Sequence, residues 1–285
     1  MKIHNGIEYH EKAITSDLIL FNDHFQNYKS HQIPKAQLII ADIPYNVGIN
    51  AYGSNPAWYI NGDNKNGESE LAGTDFFDTD KDFRPPEFMH FCSKMLRNEP
   101  KERGTAPAML VFCSFEQQFA LINLAKEYGL NHYINLVFRK NFSAQVLKAN
   151  MRIVGNAEYG LLLYREYLPK FNNHGKMIFN VMDVPREIKE TRKIHPTQKS
   201  IKLLEKLIEI FTDEGDIVID PVAGSGSTLI AALNTNRKCY GFEIKKDFYK
   251  QAKEWVDDTI ADIKDMKEIG FRKTTMAKSE NILWR

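Results

Sequence analysis

Residues 194–244 read IHPTQKSIKLLEKLIEIFTDEGDIVIDPVAGSGSTLIAALNTNRKCYGFEI. The apolar run Ile217-Val218-Ile219 ends in Asp220-Pro221, Gly224-Ser225-Gly226 opens a new helical pattern, and Tyr240-Gly241-Phe242 ends in the acid Glu243. Helix, strand, glycine turn, helix and strand in this order make a βαβ unit. The turn narrows the ligand it could hold. A phosphate-cradling loop needs a lysine after its glycines, whereas Gly226 is followed by Ser227-Thr228. A dinucleotide turn wants a third glycine for helix packing, and Leu229 stands in that place. What remains is a carboxylate at each strand end, Asp220 and Glu243, a pair suited to gripping a ribose and an ammonium, as S-adenosylmethionine requires. From this segment alone a dinucleotide site or a purely structural glycine turn stays open.

The 285 residues suffice for one large α/β domain with insertions, and a single domain over 1–285 is expected. A net charge of +1 supplies no global field, so any polyanion binding has to come from a local patch. Cys92, Cys113 and Cys239 are widely spaced and sit in apolar surroundings, as small core residues of a reducing cytosol do, with no metal-ligand spacing among them. With no signal-like start and no apolar run of membrane length, a cytoplasmic protein is expected.

Upstream of the central unit, Leu18-Ile19-Leu20-Phe21 reads as a strand closing on Asn22-Asp23. Leu38-Ile39-Ile40-Ala41 reads as a second strand, closing on Asp42-Ile43-Pro44-Tyr45. Carboxyl ends of strands are where α/β proteins bind ligands. Residues 46–86 lose all periodicity, and from Asn46 to His90 there are eight acids against three bases, which predicts an acidic flap or lid. A helix is expected over Glu87 to Leu96, a buried strand over Ala108 to Cys113, and a helix over Glu116 to Tyr128 stopped by Gly129. Two more strands follow, His132 to Phe138 and Tyr159 to Tyr164, and a charged amphipathic helix over Lys245 to Ile263.

One region stands out by charge: from Arg139 to Lys193 there are eleven bases and five acids. A solvated face is the ordinary explanation. Arg139, Lys140, Lys148 and Arg152 are interleaved with amide and hydroxyl side chains such as Asn141, a mixture of phosphate donors and potential base readers. This segment, 139–193, is the candidate target-recognition region.

Three motifs together carry a resemblance. Asp42-Ile43-Pro44-Tyr45, then His195-Pro196-Thr197-Gln198-Lys199, then Asp220-Pro221-Val222-Ala223-Gly224-Ser225-Gly226-Ser227-Thr228 closely resemble the amino-group DNA methyltransferases, and their order resembles the circularly permuted β class. The resemblance spans about residues 18 to 255, apart from 46–107 and 139–193. It implies an α/β methyltransferase (Rossmann-like) fold: a seven-stranded, mostly parallel sheet with helices on both faces and Tyr159 to Tyr164 as the one antiparallel strand.

The implied reaction moves a methyl group from S-adenosylmethionine to the N6 amine of an adenine flipped out of duplex DNA. The resemblance places the Asp42 carboxylate and the Ile43 carbonyl on the amine hydrogens, with Pro44 stiffening the turn and Tyr45 stacking on the base. It puts Asp23 near the cofactor adenine and Glu243 on the ribose. Thr197 and Lys199 would hold the methionine carboxylate, with His195 and Gln198 of the same motif beside them. Asp220, Pro221, Ala223, Gly224, Ser225 and Gly226 would form the turn around the amino-acid end. No metal is implied.

A second copy of the chain and a cognate restriction endonuclease are the implied protein partners, and no membrane. Asp42 favours adenine, since cytosine-N4 enzymes of this class usually carry serine there. Cytosine-N4 or RNA methylation, and an idle methyltransferase-fold subunit that only binds nucleic acid, are the alternatives. Three positions depart from the pattern: Ile43 and Ser200 replace prolines, and Val222 replaces an aromatic wall of the cofactor turn.

Overall fold

A computed structural model describes residues 2–4, 7–9, 17–44, 83–140, 145–148, 153–184, 192, 194 and 198–280. Of the expected acidic flap, 46–82 lies outside the described residues, as does Tyr45, and its last two positions, Pro85 and Pro86, already begin a helix. Asn141, Arg152, His195 and Thr197 also lie outside the described residues.

In chain order the strands are β1 (Lys2–His4), β2 (Ile7–Tyr9), β3 (Leu18–Phe21), β4 (Leu38–Asp42), β5 (Ala108–Cys113), β6 (His132–Arg139), β7 (Gln145–Lys148), β8 (Ile153–Gly155), β9 (Ala157–Tyr164), β10 (Val181–Asp183), β11 (Ile217–Asp220) and β12 (Lys238–Phe242). The helices are α1 (Tyr28–His31), preceded by one 3-10 turn, then α2 (Pro85–Met95), α3 (Gln117–Glu127), α4 (Ile201–Phe211), α5 (Ser227–Asn234) and α6 (Lys246–Glu280).

Eight strands form the central sheet in the order β10-β6-β9-β5-β4-β11-β12-β3. Only β9 runs against its neighbours, pairing antiparallel with both β5 and β6. That is the strand expected to be reversed. The count corrects the expected seven to eight, because β10 adds an edge pairing with β6 through Val181, Met182 and Asp183. Three residues with only the middle one buried are too short to show a period in the sequence. Two small antiparallel pairs, β1-β2 and β7-β8, also escaped the sequence reading.

The continuous apolar runs of β4 and β5 follow from burial on both sheet faces. Alternate residues of each strand go to opposite layers. Leu38, Ile40, Leu110, Phe112 and Val218 pack under α4, α5 and α6, with Leu204, Leu207, Ile208, Ile230 and Trp255 above them. Ile39, Ala41, Met109, Val111 and Ile219 pack under α2 and α3, against Phe88, Cys92 and Leu121. All three cysteines are buried and free, and burial pushes the Cys113 thiol up to about 12. Among the described residues no helix is long and apolar enough to cross a membrane.

Candidate active site

The chain leaves β4 through α2 toward β5 on one side, and leaves β11 through α5 toward β12 on the other. β4 and β11 are nonetheless adjacent and parallel, with Leu38 opposite Val218 and Ile39 opposite Ile219. Such a reversal of winding opens a crevice beyond the carboxyl ends of the two strands. Asp42 closes β4 and Asp220 closes β11, so both reach that crevice, and Glu243 follows β12 immediately beside them.

The β11 side is a backbone-built cradle. Asp220 accepts the Val222 N–H at 3.0 Å, which starts the turn. The Ala223 N–H then reaches the Phe242 carbonyl at 2.8 Å, tying the turn to the end of β12. Glu243 accepts the Gly224 N–H on one oxygen at 2.9 Å and the Lys245 N–H on the other at 2.7 Å. A carboxylate has about four lone-pair sites, so capacity for a ligand hydroxyl remains. Asn22 braces the same corner, donating to the Glu243 carbonyl at 2.9 Å.

Gly226 has φ +79°, and a Cβ there would lie 3.3 Å from the Ala252 Cβ of α6, so both conformation and packing require glycine. Gly224, at φ +52°, faces space: an added Cβ would meet nothing nearer than the Val222 carbonyl at 4.0 Å. Pro221, Ala223 and Ser225 are buried around it. Val222, at the expected aromatic position, packs half-buried against the α2/α3 layer.

Both acids of this corner are hard to ionise. Burial pushes the Asp220 carboxyl up to about 7, opposed by hydrogen bonds from Thr228 and the Val222 amide and reinforced by the charges of Asp42 and Glu243. Burial likewise pushes Glu243 up to about 7, against backbone hydrogen bonds from Lys245, Gly224 and Ile244 and the Lys245 charge.

The β4 side is assembled from distant pieces. The Ile43 N–H donates to the Phe112 carbonyl at 3.3 Å, a bond that the usual proline could not make, and its side chain is 2 % exposed. Hydrogen bonding and burial thereby supply stiffness that a proline ring would have given. The Pro44 carbonyl accepts from Gln117 Nε2 at 2.8 Å. Gln117 is itself fixed, because it accepts the Ser114 N–H at 3.0 Å while Ser114 Oγ accepts the Gln117 N–H at 3.2 Å. Ser200, in place of the other proline, caps α4 by accepting the Leu203 N–H at 3.3 Å.

Lys199, immediately before that cap, is buried with its ammonium 2.9 Å from Asp42 Oδ2 and 3.6 Å from Glu158 Oε2. It also lies 5.1 Å above the Phe112 ring. Glu158 is paired on its other oxygen with Lys140. Burial raises the Glu158 carboxyl, but the charges and hydrogen bonds of Lys199 and Lys140 outweigh it and hold the group below its ordinary value.

Two further expected cofactor residues have protein partners. Asp23 accepts from the His24 N–H, from Asn27 Nδ2 and, on its second oxygen, pairs with His31 at 2.8 Å. These contacts, led by the His31 and Asn27 hydrogen bonds, lower its carboxyl. Gln198 accepts the Ile194 N–H at 3.1 Å and donates to the Arg192 carbonyl at 3.0 Å.

Of the expected DNA contacts, Arg139 is exposed but held by Asp183 through bonds of 2.6 and 3.0 Å, while Lys140 turns inward to Glu158. Lys148 is placed on β7 by its backbone.

Glu158 and Gln117 were both missed as site residues. Glu158 had a signal: period-2 alternation puts it on the inward face of β9 with Leu162, and an acid on such a face needs a buried partner. Gln117 had one too, in the S-x-x-Q spacing of a capping box before an apolar run.

The sequence over residues 36–254 matches the N6/N4 DNA methylase family. DNA adenine methyltransferase YhdJ of Escherichia coli is 26 % identical over 259 residues, covering 84 % of this chain and 82 % of that protein. Type II methyltransferase M2.DpnII of Streptococcus pneumoniae is 23 % identical over 83 % of this chain and 88 % of its own length. Among solved structures, M1.HpyAVI in complex with SAM superposes with a TM-score of 0.58 at 22 % identity, over 83 % of this chain and 98 % of that one. The PvuII cytosine-N4-specific DNA methyltransferase superposes with a TM-score of 0.60 at 14 % identity, over 88 % of this chain and 93 % of that one. With the family match running from before β4 to within α6, this chain belongs to the N6/N4 DNA methylase family.

Proposed function

We propose that this protein methylates the N6 amine of adenine in duplex DNA with S-adenosylmethionine as donor. The observation that carries the reading is the adjacency of β4 and β11, which aims the Asp42 carboxylate and the glycine turn into one crevice. The residues fit the cofactor. Three carboxylates, Asp42, Asp220 and Glu243, lie close enough to raise the Asp220 carboxyl by mutual repulsion, which a sulfonium and an ammonium would offset. Glu243 has lone pairs left for ribose hydroxyls, and Gly224 leaves room beside it. When bound, S-adenosylmethionine would supply an activated methyl on a positive sulfur. YhdJ, an adenine methyltransferase by name, is the long-range relative that matches the adenine reading of Asp42.

The chain's own part is to make a poor nucleophile competent. The exocyclic nitrogen has its lone pair delocalised into the ring, so acceptors on its hydrogens are needed to turn that pair toward the methyl. Asp42 Oδ and the Ile43 carbonyl take that role. Gln117 and the Ile43–Phe112 bond hold those acceptors still. With the amine so held by Asp42 and the Ile43 carbonyl, an N–C bond would form at the expense of the donor's S–C bond, and one amine proton would leave to water. Tyr45 stacks on the flipped base, and Asp23 and Lys199 with Thr197 serve the two ends of the cofactor. Arg139, Asn141, Lys148 and Arg152 form the DNA-facing set, while Lys140 is committed to Glu158. The order of Asp42 before Asp220 along the chain supports membership of the permuted β class. A homodimer, a cognate endonuclease and a cytoplasmic setting extend the same reading.

The test is direct: labelled S-adenosylmethionine and unmethylated genomic DNA, followed by digestion to nucleosides. Label in N6-methyldeoxyadenosine is expected. Label in N4-methyldeoxycytidine, or cofactor binding without transfer to DNA, overturns the proposal.

A further inference from the structure

A lysine is rarely buried unless anions surround it, because stripping water from an ammonium costs several kcal/mol. Lys199 is 8 % exposed, and two carboxylates share its charge: Asp42 at 2.9 Å and Glu158 at 3.6 Å. The arrangement is set by the sheet. Asp42 on β4 is opposite Phe112 on β5, and Phe112 is opposite Gly160 on β9. Glu158 precedes Gly160 by two residues and so shares its face, the one that α4 covers. Lys199 comes down onto that face from the start of α4, directly over the Phe112 ring. A second cation, Lys140, backs Glu158, so the row Asp42, Lys199, Glu158, Lys140 alternates in sign and is neutral as a whole.

The row bears on methyl transfer. An Asp42 oxygen tied to an unshared ammonium would have to break a charge-assisted bond before it could accept from an amine, leaving a buried cation unpaired. With a second carboxylate in reach, the ammonium can lean toward Glu158 while Asp42 turns to the base. We propose that Glu158 is a positioning residue of the methyl-transfer site, sharing the Lys199 ammonium so that Asp42, kept ionised by that cation, stays available to the target amine. This rests on the reading of Asp42 as the amine's acceptor.

The full chain with Glu158→Gln, Lys199→Met and the double substitution tests it. Two measurements are made: single-turnover methylation across pH, and the titration of the Asp42 side-chain carbon in aspartate-labelled protein without cofactor or DNA. Glu158→Gln removes a negative neighbour and leaves the Asp42 carboxylate facing the ammonium without Glu158 to share it. Its rate constant is expected to fall about 10- to 100-fold, the span of one charge-assisted hydrogen bond. Cofactor affinity stays within about twofold, and the Asp42 titration moves down in pH. Lys199→Met removes the cation and keeps the anion, so the Asp42 titration and the acid limb of the rate profile move up. In the Lys199→Met background Glu158→Gln should cost no further rate, because there is no ammonium left to share.

A purely structural role for Glu158 would give the same rate loss from Glu158→Gln whether or not Lys199 is present. Equal rate losses from Glu158→Gln with and without Lys199, or an unmoved Asp42 titration in both, overturn the proposal. Should Glu158→Gln fail to fold, Glu158→Asp keeps the charge at shorter reach. A smaller rate loss with a nearly native Asp42 titration is expected there, and a loss as large as that of Lys199→Met overturns the sharing. The two readings fail separately. A wild type that methylates no DNA removes the function proposal whatever Asp42 does, whereas an active wild type with unmoved titrations removes only the role of Glu158.

Discussion

The two halves of the site are built in different ways. On the β11 side, residues within one βαβ unit hold one another through backbone bonds: Val222 to Asp220, Ala223 to Phe242, Gly224 to Glu243. On the β4 side, the same crevice is finished by Gln117 from α3, Glu158 from β9 and Lys199 from before α4, brought from across the chain by side-chain contacts. The local half is rigid because its donors are main-chain amides. The assembled half depends on charges that can be redistributed. Binding and chemistry should therefore come apart under mutation, with lesions on one side weakening cofactor and lesions on the other slowing transfer.

The largest effect should come from Asp42→Ala, which removes the acceptor on which the amine depends. Transfer is expected to drop by about 1000-fold, the scale of losing a preorganised electrostatic partner. Cofactor affinity, measured by calorimetry, should change little; an active Asp42→Ala protein would remove the division between the halves. Glu243→Gln is the mirror case. Weakening of S-adenosylmethionine binding by about 10- to 100-fold is expected from the loss of charged hydrogen bonds to the ligand. The rate at saturating cofactor should be nearly kept.

Gly226→Ala strikes the rigid half through its backbone, since φ +79° strains any L side chain and the 3.3 Å approach to Ala252 is tight. A left-handed alanine costs about 1–2 kcal/mol, which should appear as a lowered melting temperature together with weaker cofactor binding. The smallest of these mutational effects is expected from Gln117→Leu, which frees the Pro44 carbonyl. One neutral hydrogen bond is worth about 1 kcal/mol, so transfer should slow about 5-fold with the cofactor affinity intact.

Acidity separates the halves once more. Burial pushes the Asp220 and Glu243 carboxyls up to about 7 in the folded protein, from ordinary values of 3.8 and 4.5. The folded state then holds these protons more tightly than the unfolded chain does. Their contribution to stability is full below the unfolded values and is lost as pH rises through the folded ones. Melting of the ligand-free protein should therefore fall from pH 5 to pH 8. Cofactor affinity should rise over the same interval, as Glu243 gains charge, so added cofactor should restore most at the alkaline end. Melting curves with and without S-adenosylmethionine check both signs.

Much of this was legible in the chain. The central strands announced themselves because strands buried on both faces must be continuously apolar, and the reversed strand could be placed in advance by resemblance. β10 was not legible, since three residues carry no period. Nor was the hold of Gln117 on Pro44, which needs two elements that only pairing of β4 with β5 makes neighbours. Ile43 is intermediate. Its departure from proline was visible as a substitution, while the N–H it offers to Phe112 became meaningful only with β5 alongside.

By itself the sequence determined the βαβ unit with its glycine turn, the acids that end its strands, and the tetrapeptide motif that begins at Asp42, because each is written in residues a few positions apart. The tertiary structure alone decided that β4 lies beside β11, that Glu158 points at Lys199, and that Lys199 rests on Asp42. Those are consequences of strand order and of burying a charged row under α4, where the energy of each group depends on partners that the linear chain does not bring near it.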